Sequence, residues 1–570
     1  MNYIMTPSNL SPDNNNPMKS DVVILGGGLA GLTLALQIRQ QRPETSITVL
    51  ERRRHPVPVS AHKVGESTVE IGAHYLADVI GLRDHLEQCH LRKYGLRLFF
   101  DADKSEDLAG AGELGGSGLL SQRSFQIDRG VLENHLAERV DREGISLIGG
   151  ATVRDISLAD DANADHQNHR VVYRNDDGEH DIQARWVVDA MSRGSILKRR
   201  LGLAEDNHHA CSSVWFRLSS RIDISDWSQD EAWHERCRDV PRWLSTNHLM
   251  GPGYWVWLIP LASGSTSVGV VFDNRLHDFD RLKTYAGTLD WLAEHQPLCR
   301  RAIDQAGGEL QDFLYLRNYS HGCRQVFSGK RWALTGEAGV FLDPFYSPGS
   351  DFIGISNTYI ADLVQRDLSG ESIARRARVY QHHFFSFYES SLLLYRDQYP
   401  LFGHARAMSS KTIWDYVYYW GVLALLFFSN RLTDTDFIHR HVVMLDQLRR
   451  LNGEMQTLFR RWAEVEPPID PRGLFVNQTH MPLLVKLNED LGQVVDDSLD
   501  QLDARLVDNG EMLRRVAGEL CLMAPEGARD VVTLHQQPNP EDEPLLAGLP
   551  ARFVKPVTVA QPTAPVAQAG

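Results

Sequence analysis

The sequence predicts an α/β protein in which two sheet-bearing domains precede a helical region, and three observations carry that expectation. From Asp21 an apolar run, a glycine-rich turn and a helical run follow one another (DVVILGGGLAGLTLALQIRQQ), and a second apolar run, SITVLE, closes at Glu51. Strand, turn, helix and strand in that order make a βαβ unit. Between residues 211 and 324 the chain is richer in short strand-like runs, notably SSVWFRLSSRIDI, YWVWLIP and STSVGVVFD. Beyond about residue 370 the apolar spacing turns helical and stays so to about residue 525.

In chain order, the polar start MNYIMTPSNLSPDNNNPMKS lacks the apolar stretch of a signal peptide and reads as a disordered leader over residues 1–19. Leu32, Leu34, Leu36 and Ile38 mark the helix after the glycine turn. Residues 105–121, SEDLAGAGELGGSGLLS, are too glycine-rich for a packed element and read as a mobile loop. Helical periodicity returns over 126–144, and RWVVDAMSRGS (185–195) reads as a buried strand feeding a turn. YWVWLIP and STSVGVVFD, joined by LASG, read as a hairpin. RWALTGEAG (331–339) is again strand and turn, leading to a helix through Asn357 to Leu368. The first domain is therefore discontinuous, 20–210 with 325–370, and encloses a second, antiparallel-sheet domain at 211–324. A helical region, 371–530, and a Pro-, Ala- and Val-rich disordered tail, 536–570, follow. The most apolar stretch, Tyr416 to Phe428, is 13 residues long, short of a bilayer span, so membrane contact is not expected.

The chain has 570 residues, which exceeds a single compact core. Its net charge of −15 comes from 59 basic and 74 acidic residues with no sustained basic block, which excludes nucleic acid as the expected partner. Six cysteines without CxxC spacing point to reduced thiols, no structural zinc and a cytoplasmic setting.

Two segments fit G-x-G-x-x-G. Gly26, Gly28 and Gly31, with Ala30 among them, lie between a strand and a helix, and Glu51 follows at the end of the next strand. That context makes a Rossmann-type dinucleotide site: glycines let backbone approach a pyrophosphate, the helix N-terminus favours its charge, and the carboxylate accepts from a ribose. Gly110, Gly112 and Gly115 follow DADKSEDLA, which is no buried strand, so the second match is a decoy. One dinucleotide site is thus expected, with no sign of a second for NAD(P)H.

Gln126-Ile-Asp-Arg129 opening a helix, Asp189 ending a strand, and Gly336-Glu337-Ala338 before Asp343-Pro344 resemble, in that order, FAD-dependent hydroxylase-type flavoproteins. The resemblance implies a bound FAD, Arg129 beside its phosphates, and a helix N-terminus delivered to the isoalloxazine ring by 336–349. Two details depart from the pattern. Glu337 stands where aspartate is common, and DAMSRGS replaces a tighter turn.

Three further segments narrow the resemblance to flavin-dependent halogenases. The first is WxWxIP at Trp255 and Trp257, whose side chains share one face of a strand; two aromatics there otherwise simply fill core. The second is KVGEST, whose Lys63, Gly65, Glu66 and Ser67 match a strap over the flavin. The third is Lys93, before a strand, where the family's reactive lysine stands. The resemblance implies that reduced FAD, O2 and halide yield hypohalous acid, which travels to a lysine and halogenates an electron-rich arene. Lys63 is the less favoured lysine, and a separate flavin reductase supplies reduced flavin. F-x-x-P-x-x-S-x-G is kept by Phe341, Pro344, Ser347 and Gly349, but residue 346 is Tyr where tryptophan halogenases carry glutamate. A phenolic or pyrrolic arene, free or carrier-bound, therefore fits better than tryptophan.

The resemblance places halide against backbone N–H groups around Ser347, Pro348, Gly349 and Ser350, and Pro348 removes one of them. Bromide or iodide, less strongly hydrated than chloride, would suffer less from the smaller donor set. Three other readings stand beside the halogenase: a related FAD-dependent monooxygenase that does not halogenate, a reductase of isoprenoid double bonds, and a non-catalytic flavin-binding partner.

Overall fold

Strand β1 (Met18–Leu25) carries Val22, Val23, Ile24 and Leu25 without exposure on either face, as the strands of a parallel sheet covered on both faces do. Helix α1 (Leu29–Gln41) follows the glycine turn and β2 (Ile47–Glu51) pairs parallel to β1. In this computed structural model, residues 18–59, 64–159, 168–533 and 543–550 are described. Lys63, residues 1–17 and residues 551–570 lie outside them. β1 starts inside the expected leader, since Met18 and Lys19 pair with Ile182 and Gln183.

The first sheet runs β7 (Ser146–Gly149), β2, β1, β10 (Gly178–Asp189), β9 (His169–Asn175), β8 (Thr152–Ser157), with β16 (Trp332–Leu334) pairing parallel to the end of β10. Its parallel half is the predicted dinucleotide-binding architecture. Helix α4 (Gly349–Leu368) packs on α1, and α3 (Arg129–Arg142) covers the same side. The discontinuous chain path is thus built by a strand from residue 332 onward returning beside β10.

The second sheet has eight strands in the order β15 (Leu310–Leu316), β11 (Cys211–Leu218), β14 (Thr266–Asp273), β13 (Tyr254–Pro260), β12 (Thr246–Gly251), β4 (Leu96–Phe100), β5 (Gly112–Gly115), β17 (Phe475–Asn477). The predicted hairpin is present as β13 and β14, antiparallel. The sheet is not confined to 211–324, because β4, β5 and β17 extend it from earlier and later chain. Alternation along β13 sorts its residues: Trp255, Trp257 and Ile259 face the main core and the first domain, while Tyr254, Val256 and Leu258 face a second core against helices at 285–306.

β5 corrects the reading of 105–121 as a mobile loop. Its four residues are buried, and Glu113 pairs with both Arg97 and Arg242. The glycines serve close approach: a Cβ on Gly115 would lie 2.7 Å from Arg97 Nη1 and one on Gly112 2.7 Å from Pro471 Cβ. A short second ribbon pairs β3 (Leu91–Lys93) with β6 (Ser124–Gln126), beside the five-residue helix α2 (Glu70–His74).

Helices α5 (Ala374–Leu392), α6 (Ala405–Tyr418), α7 (Thr435–Val465) and α8 (Leu499–Met523) form the expected helical region. The apolar stretch from Tyr416 continues α6 into buried helix, and among the described residues no helix is long and apolar enough to cross a membrane. Part of the tail is also packed: the Leu545 and Leu546 N–H groups donate to Glu519 at 2.8 and 3.0 Å, and Leu546 is buried. The apolar pair at 545–546 gives that segment something to bury, which its Pro-rich composition obscured.

Candidate active site

The glycine turn is shaped by contact. Gly26 has φ +106°, and a Cβ on it would lie 2.6 Å from Ala190 O; a Cβ on Gly31 would lie 1.9 Å from Gly26 O. Both glycines thus sit beneath the turn, while Gly28 and Ala30 line a 390 Å³ cavity at the start of α1. Glu51 braces the same turn, accepting from Gly27 N at 2.6 Å and Arg53 N at 2.8 Å. It is not among the residues lining the cavity.

Arg129 lines the cavity from the start of α3. It donates to Val64 O at 2.9 Å and to Glu133 Oε1 at 2.7 Å, and its buried Nε has no partner among the described residues. Asp189 does not reach the cavity. Its oxygens accept from Met191 N, Ser195 Oγ and Leu197 N, so it folds the DAMSRGS turn rather than facing a ligand. That turn brings Ser192 to Glu337, whose Oε2 accepts from Ser192 Oγ at 2.6 Å, and Glu337 with Gly336 lines the cavity.

The strap enters as Gly65 (φ +98°), Glu66 and Ser67, all lining the cavity. Glu66 accepts from Arg217 Nε at 2.8 Å, and Arg217 also pairs with Asp312; Glu66 Oε2 is buried without a partner among the described residues. Behind the strap, Lys93 Nζ donates to Ser67 Oγ at 2.9 Å and Thr68 O at 2.8 Å. Ser67 Oγ is also 3.0 Å from Thr246 Oγ1, which Gln126 Nε2 meets at 2.9 Å. Lys93 is thus buried behind the cavity wall, not surface-exposed. Burial lowers its pKa to about 8, against the opposing charges of Glu70 and Asp351. Glu70 lines a second cavity, 340 Å³, whose walls are mostly polar, with Asp78, Arg83, Glu87 and Arg123 beside the two aromatic residues Phe125 and Phe428. Lys93 is therefore bonded to a residue lining one cavity and faces a carboxylate lining the other. His248, also in the first cavity's wall, has its pKa pushed down to about 3, chiefly by burial and then by Lys93, so it is neutral.

Trp255 and Trp257 line the cavity with ring centroids 5.6 Å apart. Gly269 pairs across β13 with Trp257 and across β11 with Trp215. A Cβ there would lie 2.2 Å from the Trp257 ring. Gly269→Ala is expected to lower stability by about 1–3 kcal/mol through overpacking, read as a lower urea midpoint; an unchanged midpoint would show that the indole has a second place to go. Gly269 escaped the sequence reading because a glycine in a strand signals close approach without saying what approaches.

Trp255 Nε1 donates to Tyr399 OH at 3.0 Å, and Tyr399 donates on to Asp343 Oδ2 at 2.7 Å. Asp343 also accepts from Tyr319 OH, from His209 Nε2 at 2.6 Å and from Phe345 N at 2.8 Å. The carboxylate is saturated by protein donors and fixes the loop to the tryptophan strand. His209, Cys211 and Asp343 are the one group of metal-ligand type among the described residues, and the His209–Asp343 bond already occupies its closest donors. Nothing in the local sequence marked His209, Tyr319 or Tyr399, which converge from three separated segments.

Pro344, Ser347, Pro348, Gly349 and Ser350 complete the cavity. Pro348 is the N-cap of α4, with φ −75°, so its missing N–H costs the helix nothing. Gly349 and Ser350, in the first turn, have no intrahelical acceptor for their N–H groups, and Ser350 Oγ is buried without a partner among the described residues. Tyr346 and Ser347 precede them at φ +66° and +58°, a conformation costing about 1–3 kcal/mol per non-glycine residue.

These features fit an elongated anionic cofactor: a glycine turn a Cβ would fill, a helix N-terminus, orphaned Arg129 Nε at one end and Ser350 Oγ at the other. Residues 24–89 match the NAD(P)-binding Rossmann-like domain family. The flavin-dependent halogenase chlA of Dictyostelium discoideum is 27% identical over 64% of this chain and 63% of its own length. The 1H-pyrrole-2-carbonyl-[peptidyl-carrier protein] chlorinase of Pseudomonas fluorescens is 27% identical over 66% of this chain and 83% of its own. Among solved structures, halogenase PltM has TM-score 0.60 at 17% identity, covering 86% of this chain and 96% of that one. Flavin-dependent brominase Bmp2 has TM-score 0.54 at 19%, covering 78% and 98%. The chain is related to the flavin-dependent halogenases and shares their fold.

Proposed function

We propose that this relative of the flavin-dependent halogenases uses reduced FAD, O2 and halide to halogenate an electron-rich arene. The observation that carries the proposal is the continuity of one cavity, from the Gly28 turn to the Trp255–Trp257 wall and the α4 N-terminus, with Lys93 behind its strap. Gly28, Ala30, Arg129, Gly336 and Glu337 would hold FAD, with Gly65, Glu66 and Ser67 across it. When bound and reduced, FAD supplies the two electrons with which O2 and halide become hypohalous acid and water. Trp255 and Trp257 wall the cavity and deny the arene direct access. Gly349 N, Ser350 N and the Ser350 hydroxyl offer the halide its donors, a reduced set that favours bromide or iodide.

Lys93, with two of its three N–H groups given to Ser67 and Thr68, keeps one for the hypohalous acid. The arene sits in the cavity that Glu70, Phe125 and Phe428 line; its ring carbon takes the halogen and releases a proton, with water as the by-product. The likeness to a carrier-protein chlorinase supports a carrier-bound pyrrole among candidate substrates, beside free phenols. Reduced flavin is expected from a separate reductase, the single Rossmann turn among the described residues being assigned to FAD.

Donation needs the ammonium form. With the Lys93 pKa near 8, turnover is expected to hold below that value and fall as pH rises through it. A rate that rises instead would assign the reaction to the free amine. The proposal is tested with FAD-loaded protein, a flavin reductase, NADH, bromide and an activated phenol. Brominated phenol supports it, and hydroxylated phenol formed equally without halide favours the monooxygenase alternative.

A further inference from the structure

Tyr346 and Ser347 adopt successive left-handed conformations without glycine, with only the N-cap Pro348 between them and the two residues whose N–H groups open α4. Such a turn persists only where its surroundings over-determine it. Asp343 pins its start through His209, Tyr319 and Tyr399. What holds the strained residues themselves lies in α6. The Tyr346 hydroxyl donates to Asp415 Oδ2 at 2.8 Å and lies 3.4 Å from Thr412 Oγ1. Lys411, one turn earlier on the same helix, forms an ion pair with that Asp415 oxygen, and Gln456 Nε2 of α7 donates to Oδ1 at 2.7 Å. The Lys411 ammonium also stands 5.7 Å from the centroid of the Tyr346 ring. Lys411, Thr412, Asp415 and Gln456 are all at most 3% exposed.

We propose that Asp415, paired with Lys411, is a positioning residue. Through the Tyr346 hydroxyl it holds the Tyr346–Ser347 turn in its left-handed conformation and so aims the Gly349 and Ser350 N–H groups into the cavity. A buried ion pair is a poor source of stability, since apolar residues of similar volume commonly do as well. Its use here is geometric: Lys411 and Gln456 fill the other acceptor sites of Asp415, so the carboxylate cannot turn away from Tyr346. This also assigns a purpose to tyrosine at residue 346, whose ring reaches across the loop to α6.

The inference rests on the halogenase reading for its kinetic readout, and a second readout is independent of it. Tyr346→Phe keeps the ring and removes the anchor. Its bromide KM is expected to rise about tenfold, as for loss of one hydrogen bond to a charged group, with kcat and FAD affinity within about twofold of the parent. Hydrogen exchange of the amides at 345–351 is expected to quicken in the same variant, with or without halide. The double variant Lys411→Met with Asp415→Leu replaces the pair by apolar volume and guards against a variant that merely misfolds. It is expected to reproduce both effects, and adding Tyr346→Phe to it should do nothing more. Unchanged exchange and unchanged bromide KM in Tyr346→Phe would overturn the inference, as would a fall in kcat and FAD affinity with bromide KM unaltered. Should the parent show no halide-dependent product, the halogenase reading fails while the exchange comparison still decides the anchor.

Discussion

Replacing Asp343 by alanine is expected to lower the unfolding free energy by about 3–5 kcal/mol, the largest stability effect of any single change around the cavity. The carboxylate accepts from Tyr319, Tyr399, His209 and the Phe345 N–H, all within a buried cluster. Alanine leaves His209 and the Phe345 N–H without this acceptor and the Tyr319 and Tyr399 hydroxyls, 3.1 Å apart, with only each other as acceptors. The damage is also directional. Tyr399 would lose the partner that orients it toward Trp255 Nε1, so the tryptophan wall and the 341–350 loop would come apart together. Urea unfolding followed by tryptophan fluorescence measures the first effect and flavin retention on gel filtration the second. Tyr399→Phe, which spares Asp343 its other donors, should show a smaller fraction of both. Equal stability of the alanine variant and its parent would mean that the cluster is not held together through Asp343.

Lys93→Met is expected to reduce directed halogenation by about 10²–10³-fold, the usual consequence of removing one preorganised donor from a reacting oxyanion or leaving group. Methionine has nearly the length of lysine, and it removes a charge whose burial already drives its pKa down to about 8, so the fold should tolerate it. Ser67 and Thr68 O lose a donor, but Ser67 keeps Thr246. FAD binding and consumption of reduced flavin should persist, because Lys93 lies behind the strap and does not line the flavin cavity. The signature is therefore a split: reduced flavin and O2 are still spent, and the hypohalous acid escapes to give non-selective products. Intact regioselectivity in Lys93→Met would remove the lysine from the mechanism.

Much of this was legible because it is local. A Rossmann-type turn announces itself in one stretch of chain, since its glycines serve contacts only a few residues away, as Gly31 against Gly26 O shows. The alternation of β13 likewise puts Trp255 and Trp257 on one face by residue spacing alone. What sequence reasoning missed is long-range. Motif spacing also does not show the partners of Asp189 and Glu51, whose oxygens accept from nearby backbone N–H groups. The glycine-rich 105–121 segment read as a loop because the reasons for its glycines, Arg97 and Pro471, lie elsewhere in the chain. Tyr346 read as the loss of a glutamate, and only the packing of α6 shows what the tyrosine does instead.

We hold that this cavity turns halide, rather than the arene directly, into the species that reacts. It is tested by titrating bromide into the FAD-loaded protein with reductase, NADH and an activated phenol, and resolving brominated from hydroxylated phenol by mass. Brominated product is expected to be absent without bromide, to rise saturably with it, and never to be replaced by hydroxylated phenol. Hydroxylated phenol whose yield is indifferent to bromide would instead assign the cavity to direct oxygenation of the arene.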